Sequence, residues 1–139
     1  MVKQYKQAFG IAEKELGVAE IPGAEHSARV LEYHQATSLK ASTDEIPWCA
    51  SFVNWVLKQM GEEGTNSAAA RSFLKWGVPL KTPVKGCIAV FTRDGGGHVA
   101  FFDRMEGSRV YCLGGNQNNK VQVSGYPKSR LMGFRGFKA

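Results

Sequence analysis

The hydrophobic period of this 139-residue chain changes once, and that change limits the fold more than any other feature. Up to Trp76 the apolar residues recur at helical steps of three and four. Pro79 and Pro83 then mark an extended crossing that a helix interior cannot accept. Beyond them come short runs of β-branched and aromatic residues punctuated by glycines. The spacing predicts helices over 5–16, 26–36, from Cys49 to Gly61, and 68–76, followed by strands at 88–91, 99–102, 110–113, 120–123 and 131–137. Helices first and strands after predict an α+β fold, with N-terminal helices packed on a C-terminal antiparallel sheet. The length fits one domain over 1–139, with no repeat or flexible linker to divide it.

The third helix opens with chemistry. Phe52, Val53, Val56, Leu57 and Met60 form its apolar face, Pro47 suits a first turn, and Asp44 or Glu45 can meet the unpaired N–H groups there. Cys49 stands in that first turn, where the helix field favours thiolate, so the sequence predicts a lowered thiol pKa and a nucleophile. The competing reading is a cysteine buried as core filler. A catalytic thiol needs a histidine base and a group to orient it. His98 follows three glycines at a strand start, and a hairpin turn at 105–108 would bring it opposite Gly115 or Asn116. Asn116 is the expected orienter, Gln117 the rival if the register slips by one. Trp48, Asp44 and Gln117, which flank these groups, are the expected substrate contacts, and Trp55, Trp76 and Tyr126 are candidates for shaping a cleft. His26 and His34 have no nucleophile or ligand set beside them in sequence.

Composition excludes other classes. Cys49, Cys87 and Cys112 have neither disulfide-framework nor zinc spacing, and Cys87 and Cys112 fall in strand runs as core, so no metal or cofactor is expected. No apolar run is long enough to span a bilayer, and residues 1–16 lack the uninterrupted apolar core of a signal peptide. Synthesis in the cytoplasm without a signal peptide, and no stable membrane insertion, are the expectations. Residues 1–70 carry six Lys/Arg against nine Asp/Glu (−3), and residues 71–139 carry twelve against three (+9). The basic half favours an anionic partner, such as an envelope polymer, but its cations are scattered through strands without a nucleic-acid-binding motif.

Taken together, Asp-x-x-Pro-Trp-Cys-Ala-x-Phe-Val-x-Trp (44–55), Gly-x-Ile-Ala-Val-Phe (86–91), Gly-His-Val-Ala (97–100), Gly-Gly-Asn-Gln (114–117) and Gly-Phe-Arg (133–135) resemble the CHAP family of cysteine, histidine-dependent amidohydrolase/peptidases. The family is related to the NlpC-type wall peptidases and to papain. The resemblance runs from about 5 to 137, with Gly86-Cys87-Ile88 where relatives commonly have Gly-Asp-Ile, and Gly114 where many carry Glu. It implies a papain-like fold, peptidoglycan as substrate, and amide cleavage by Cys49 as nucleophile, His98 as base and Asn116 as orienter. The oxyanion would be held by the Cys49 N–H and a donor from 43–48. A monomeric phage endolysin, one catalytic domain without a wall-binding module, acting on the wall after release, is the leading biological expectation. An injected interbacterial effector of the same chemistry and a catalytically silent wall-binding domain are the alternatives.

Overall fold

The computed structural model describes residues 2–19, 28–37, 48–93, 96–117 and 119–138. Along the chain these form α1 (Val2–Glu13), α2 (Ala28–His34), α3 (Cys49–Gln59), a 3-10 helix (Ala70–Lys75), and strands β1 (Val78–Leu80), β2 (Ile88–Arg93), β3 (Gly96–Glu106), β4 (Arg109–Gln117), β5 (Lys120–Pro127) and β6 (Leu131–Gly136). The six strands make one antiparallel sheet in the order β1-β6-β2-β3-β4-β5. The fold is therefore α+β, helices before sheet, as the change of period predicts.

Three elements depart from the sequence reading. The helix expected over 68–76 is a 3-10 helix that begins at Ala70. Before it, the Thr65 hydroxyl accepts from Ser67 N–H at 3.3 Å and the Ser67 hydroxyl from Ala69 N–H at 3.1 Å, local bonds that compete with helical ones. The first helix ends at Glu13, short of the expected 16, because the chain is drawn off to the sheet: Gly17 N–H donates to Val121 O and Val121 N–H to Val18 O. Lastly, the crossing around Pro79 is a short strand, β1. It lies at the edge of the sheet, where a residue without an N–H does no harm.

α3 is the centre of the molecule. The expected apolar stripe is too narrow, since every residue from Cys49 to Leu57 is buried. Tyr33 of α2 stacks with Trp48 (5.7 Å between ring centroids) and meets Phe52 and Trp55 edge-on at 5.0 and 5.1 Å. Phe52 in turn meets Phe101 of β3 at 6.4 Å, which joins the helices to the sheet. Cys87 and Cys112 are core, 1% and 0% exposed, as expected. His34 is buried too, with Nδ1 2.9 Å from the Ser51 hydroxyl.

The buried amide on this helix, Asn54, has a structural task. Asn54 Oδ1 accepts from Thr65 N–H (2.8 Å) and Asn66 N–H (3.1 Å), while Nδ2 donates to Ala50 O (3.1 Å) and Ser67 O (3.0 Å). It holds the loop that follows α3 onto the helix. Truncating it would leave part-buried backbone groups of the loop without this partner, each at a cost of about 1 kcal/mol or more. Asn54→Ala should therefore lower stability by about 2–4 kcal/mol, read as a fall in the denaturation midpoint. A change below about 0.5 kcal/mol would mean that the loop holds without the clamp.

Candidate active site

Cys49 is the first residue of α3, and the first turn closes with Phe52 N–H on Trp48 O at 2.9 Å. What fixes the position of that turn is a glycine. A Cβ on Gly115 of β4 would stand 2.7 Å from both Trp48 and Phe52, so the helix start rests directly on β4 backbone. The β3–β4 pairing extends to Phe101↔Leu113. Two residues beyond, the backbone N–H of Val99 faces the Cys49 thiol and favours its charged form. The nucleophile candidate thereby lies beside the residue that follows His98.

His98 lies on β3 opposite Phe91 of β2, 1% exposed. Its Nε2 is 2.9 Å from Gln117 Oε1. The orientation of that amide follows from its other end, because Gln117 Nε2 donates to two backbone carbonyls, Cys112 O at 3.1 Å and Gln122 O at 2.6 Å. Only an NH₂ group satisfies both, so Oε1 must face the ring and His98 Nε2 must carry the proton. Nδ1 is then the bare acceptor. It is buried and, among the described residues, has no hydrogen-bond partner. The Tyr126 hydroxyl lies 3.1 Å from the same Nε2, and the Tyr126 ring is 5.0 Å from both His98 and Phe91.

Burial dominates the electrostatics. It lowers the His98 pKa to about 4, opposed by the bond to Gln117 and assisted by the charge of Arg93. Burial also raises the Cys49 thiol above its ordinary range, against the Val99 N–H, the Arg93 charge and the backbone N–H groups of Ala50 and Cys49. The lowered thiol pKa expected from the helix start is thus reversed. The helix field is present but is outweighed by loss of solvent. Near neutral pH the resting pair is an uncharged thiol and an uncharged imidazole.

The predicted site residues fare unequally. Cys49 lies against Val99, the residue that follows His98. Among the described residues Asn116 makes no hydrogen bond to the imidazole, and Gln117 takes that place. The reason is local: Asn116 has φ 57°, in the left-handed region, and the β4–β5 register shifts between Gly114 and Gln117, so strand alternation breaks one residue before the amide that matters. Gln117 is 2% exposed and fully engaged, which removes it as a substrate contact. Trp48 is likewise no cleft wall, being 0% exposed and packed on Tyr33. Asp44 lies outside the described residues, as does most of the 43–48 stretch expected to supply the second oxyanion donor. Tyr126, named only as a cleft residue, touches the imidazole. Arg93 was missed altogether, although counting two residues along β2 from Phe91 places it on the His98 face. Among the described residues no three His, Cys, Asp or Glu side chains are grouped to hold a metal, and no helix is long and apolar enough to cross a membrane.

The buried imidazole has a measurable consequence. The folded state keeps it neutral to about pH 4, whereas the unfolded chain takes up a proton near 6.5. Between those values the unfolded state binds more protons, so stability falls as pH drops through the window, by roughly 3 kcal/mol at most for this group, and is unaffected by it above. The midpoint of thermal unfolding should therefore fall more steeply between pH 6.5 and 4.5 in the wild type than in His98→Asn. Parallel profiles would show that the ring is not held neutral.

No curated protein matches the chain. The family model of the CHAP domain matches residues 41–116, more than half of the chain, and spans Cys49, His98 and Asn116 while stopping one residue short of Gln117. This chain belongs to the CHAP domain family, hydrolases of the peptidoglycan amidase/peptidase type.

Proposed function

We propose that this protein hydrolyses an amide bond in the peptide portion of peptidoglycan, with Cys49 as nucleophile, His98 Nδ1 as base and Gln117 as the orienter of the imidazole. The observation that carries the reading is the clamped Gln117 amide, which leaves Nδ1 bare one residue from the N–H that meets the Cys49 sulfur. The fold, a cysteine helix packed on an antiparallel sheet, fits a papain-like arrangement.

The chemistry follows from a neutral resting pair. As sulfur bonds to the substrate carbonyl carbon, its proton passes to Nδ1, and the Gln117 bond at Nε2 stabilises the imidazolium that forms. The oxyanion is met by the N–H of Cys49, one of the helix-start donors that lack an intrahelical acceptor. Collapse breaks the C–N bond while Nδ1–H protonates the departing amine, leaving a thioester. Water then attacks that thioester, giving one proton to Nδ1, and the thiol is regenerated as the acid leaves.

Digestion of purified peptidoglycan, with mass analysis of the fragments, tests the assignment. Cys49→Ala and His98→Ala should each abolish release of fragments with the fold retained. Gln117→Ala should slow turnover by about ten- to a thousand-fold, and Asn116→Ala by no more than a few-fold. Retained activity in Cys49→Ala removes the nucleophile, and a larger loss in Asn116→Ala than in Gln117→Ala removes the orienter.

Within this chemistry our reading is a monomeric endolysin-type lytic enzyme, made in the cytoplasm and acting on the wall after release. The excess of nine positive charges over 71–139 supports association with an anionic envelope. Added salt should then slow lysis of whole envelopes much more than cleavage of a short soluble muropeptide. Equal sensitivity of the two would leave the charge without that part.

A further inference from the structure

Arg93 ends β2, directly across from Gly96 on β3. Strand alternation puts its side chain on the face of Phe91, whose ring lies 6.5 Å from that of His98 and 5.0 Å from that of Tyr126. The residue opposite has no side chain, and a Cβ built on Gly96 would meet nothing within 4 Å, so the space beside the guanidinium is open. On the other side of Gly96, its carbonyl accepts from the Arg71 guanidinium at 2.9 Å. Arg29 and Arg104 each pair with carboxylates, whereas Arg93 makes no ion pair or hydrogen bond with any described residue.

A cation here has opposing effects on the reaction. It lowers the pKa of the Cys49 thiol, which assists attack, and also lowers that of His98, which hinders proton uptake. A bound anion would cancel the second effect and restore the basicity of the imidazole when substrate is present. We propose that Arg93 is a specificity-determining residue that binds a carboxylate of the substrate peptide close to the amide being cleaved, with Arg71 as a second cation flanking the same opening. The preferred substrates are acidic peptides, and a bound carboxylate also makes His98 a stronger base. This rests on the reading of Cys49 and His98 as the reacting pair.

The first test needs no peptidoglycan. Iodoacetate and iodoacetamide deliver the same electrophile with and without a carboxylate, and the site of alkylation is read by mass spectrometry at Cys49. The iodoacetate-to-iodoacetamide rate ratio at pH 8 should fall by about five-fold or more on Arg93→Met and by less on Arg93→Lys. An unchanged ratio in Arg93→Met overturns the proposal. The second test compares native peptidoglycan with the same material after its carboxylates have been converted to amides with carbodiimide and ammonia. Wild type should prefer the native material by about ten-fold or more in kcat/KM, chiefly through KM, and Arg93→Met by less than about two-fold. An equal preference in enzyme and variant overturns the proposal. If wild type cleaves neither preparation, it is the peptidoglycan reading that fails, and the alkylation ratio still decides the role of Arg93.

Discussion

The site depends on one close approach, that of the α3 start to the backbone of β4 at Gly115. Any side chain there would push Trp48 and Phe52 outward and take Cys49 with them, away from the Val99 N–H. The aromatic cluster around Tyr33 presses from the opposite side, so the helix cannot retreat. Packing thus does for the thiol what a hydrogen bond does for the imidazole. The sulfur is positioned by the rings of its neighbours, and the ring nitrogen by an amide with no freedom to turn.

Placing the reacting groups inside the fold sets their resting charges. A thiol and an imidazole that have both lost water settle as neutral partners, and charge separates only as the carbonyl is attacked. Arg93 is the exception in this neutral environment, a permanent charge at the end of the strand that carries Phe91.

Much of this was legible from residues alone, and the failures share a cause. The change of period near Pro79, the helix after Cys49 and the glycine-preceded His98 are local patterns, and each appears where expected. The amide that meets the imidazole is Gln117 and not Asn116 because Asn116 is left-handed, and alternation along a strand assumes an unbroken pleat. Trp48 looked like a cleft residue beside the nucleophile, but burial depends on what α2 brings to it, and sequence does not carry that distance. The thiol was misjudged for the same reason: a helix start is visible in a sequence, and the loss of solvent around it is not. Tyr126 meets the imidazole, twenty-eight residues away in sequence, and Arg93 comes onto its face through strand pairing, where no motif links them.

The strand order has a kinetic side. β2 lies between β3 and β6, and β6 follows every other strand in the chain. Its insertion also brings Phe137 N–H onto the Tyr5 hydroxyl across 132 residues of sequence. Until those residues are in place, β2 has an open edge and the Tyr5 hydroxyl of α1 lacks that bond, so the β2–β3 hairpin bearing His98 stays on an incomplete scaffold. Contacts of such long sequence separation form late and make folding slow. During synthesis, His98 is therefore made before the residues that lock it in place.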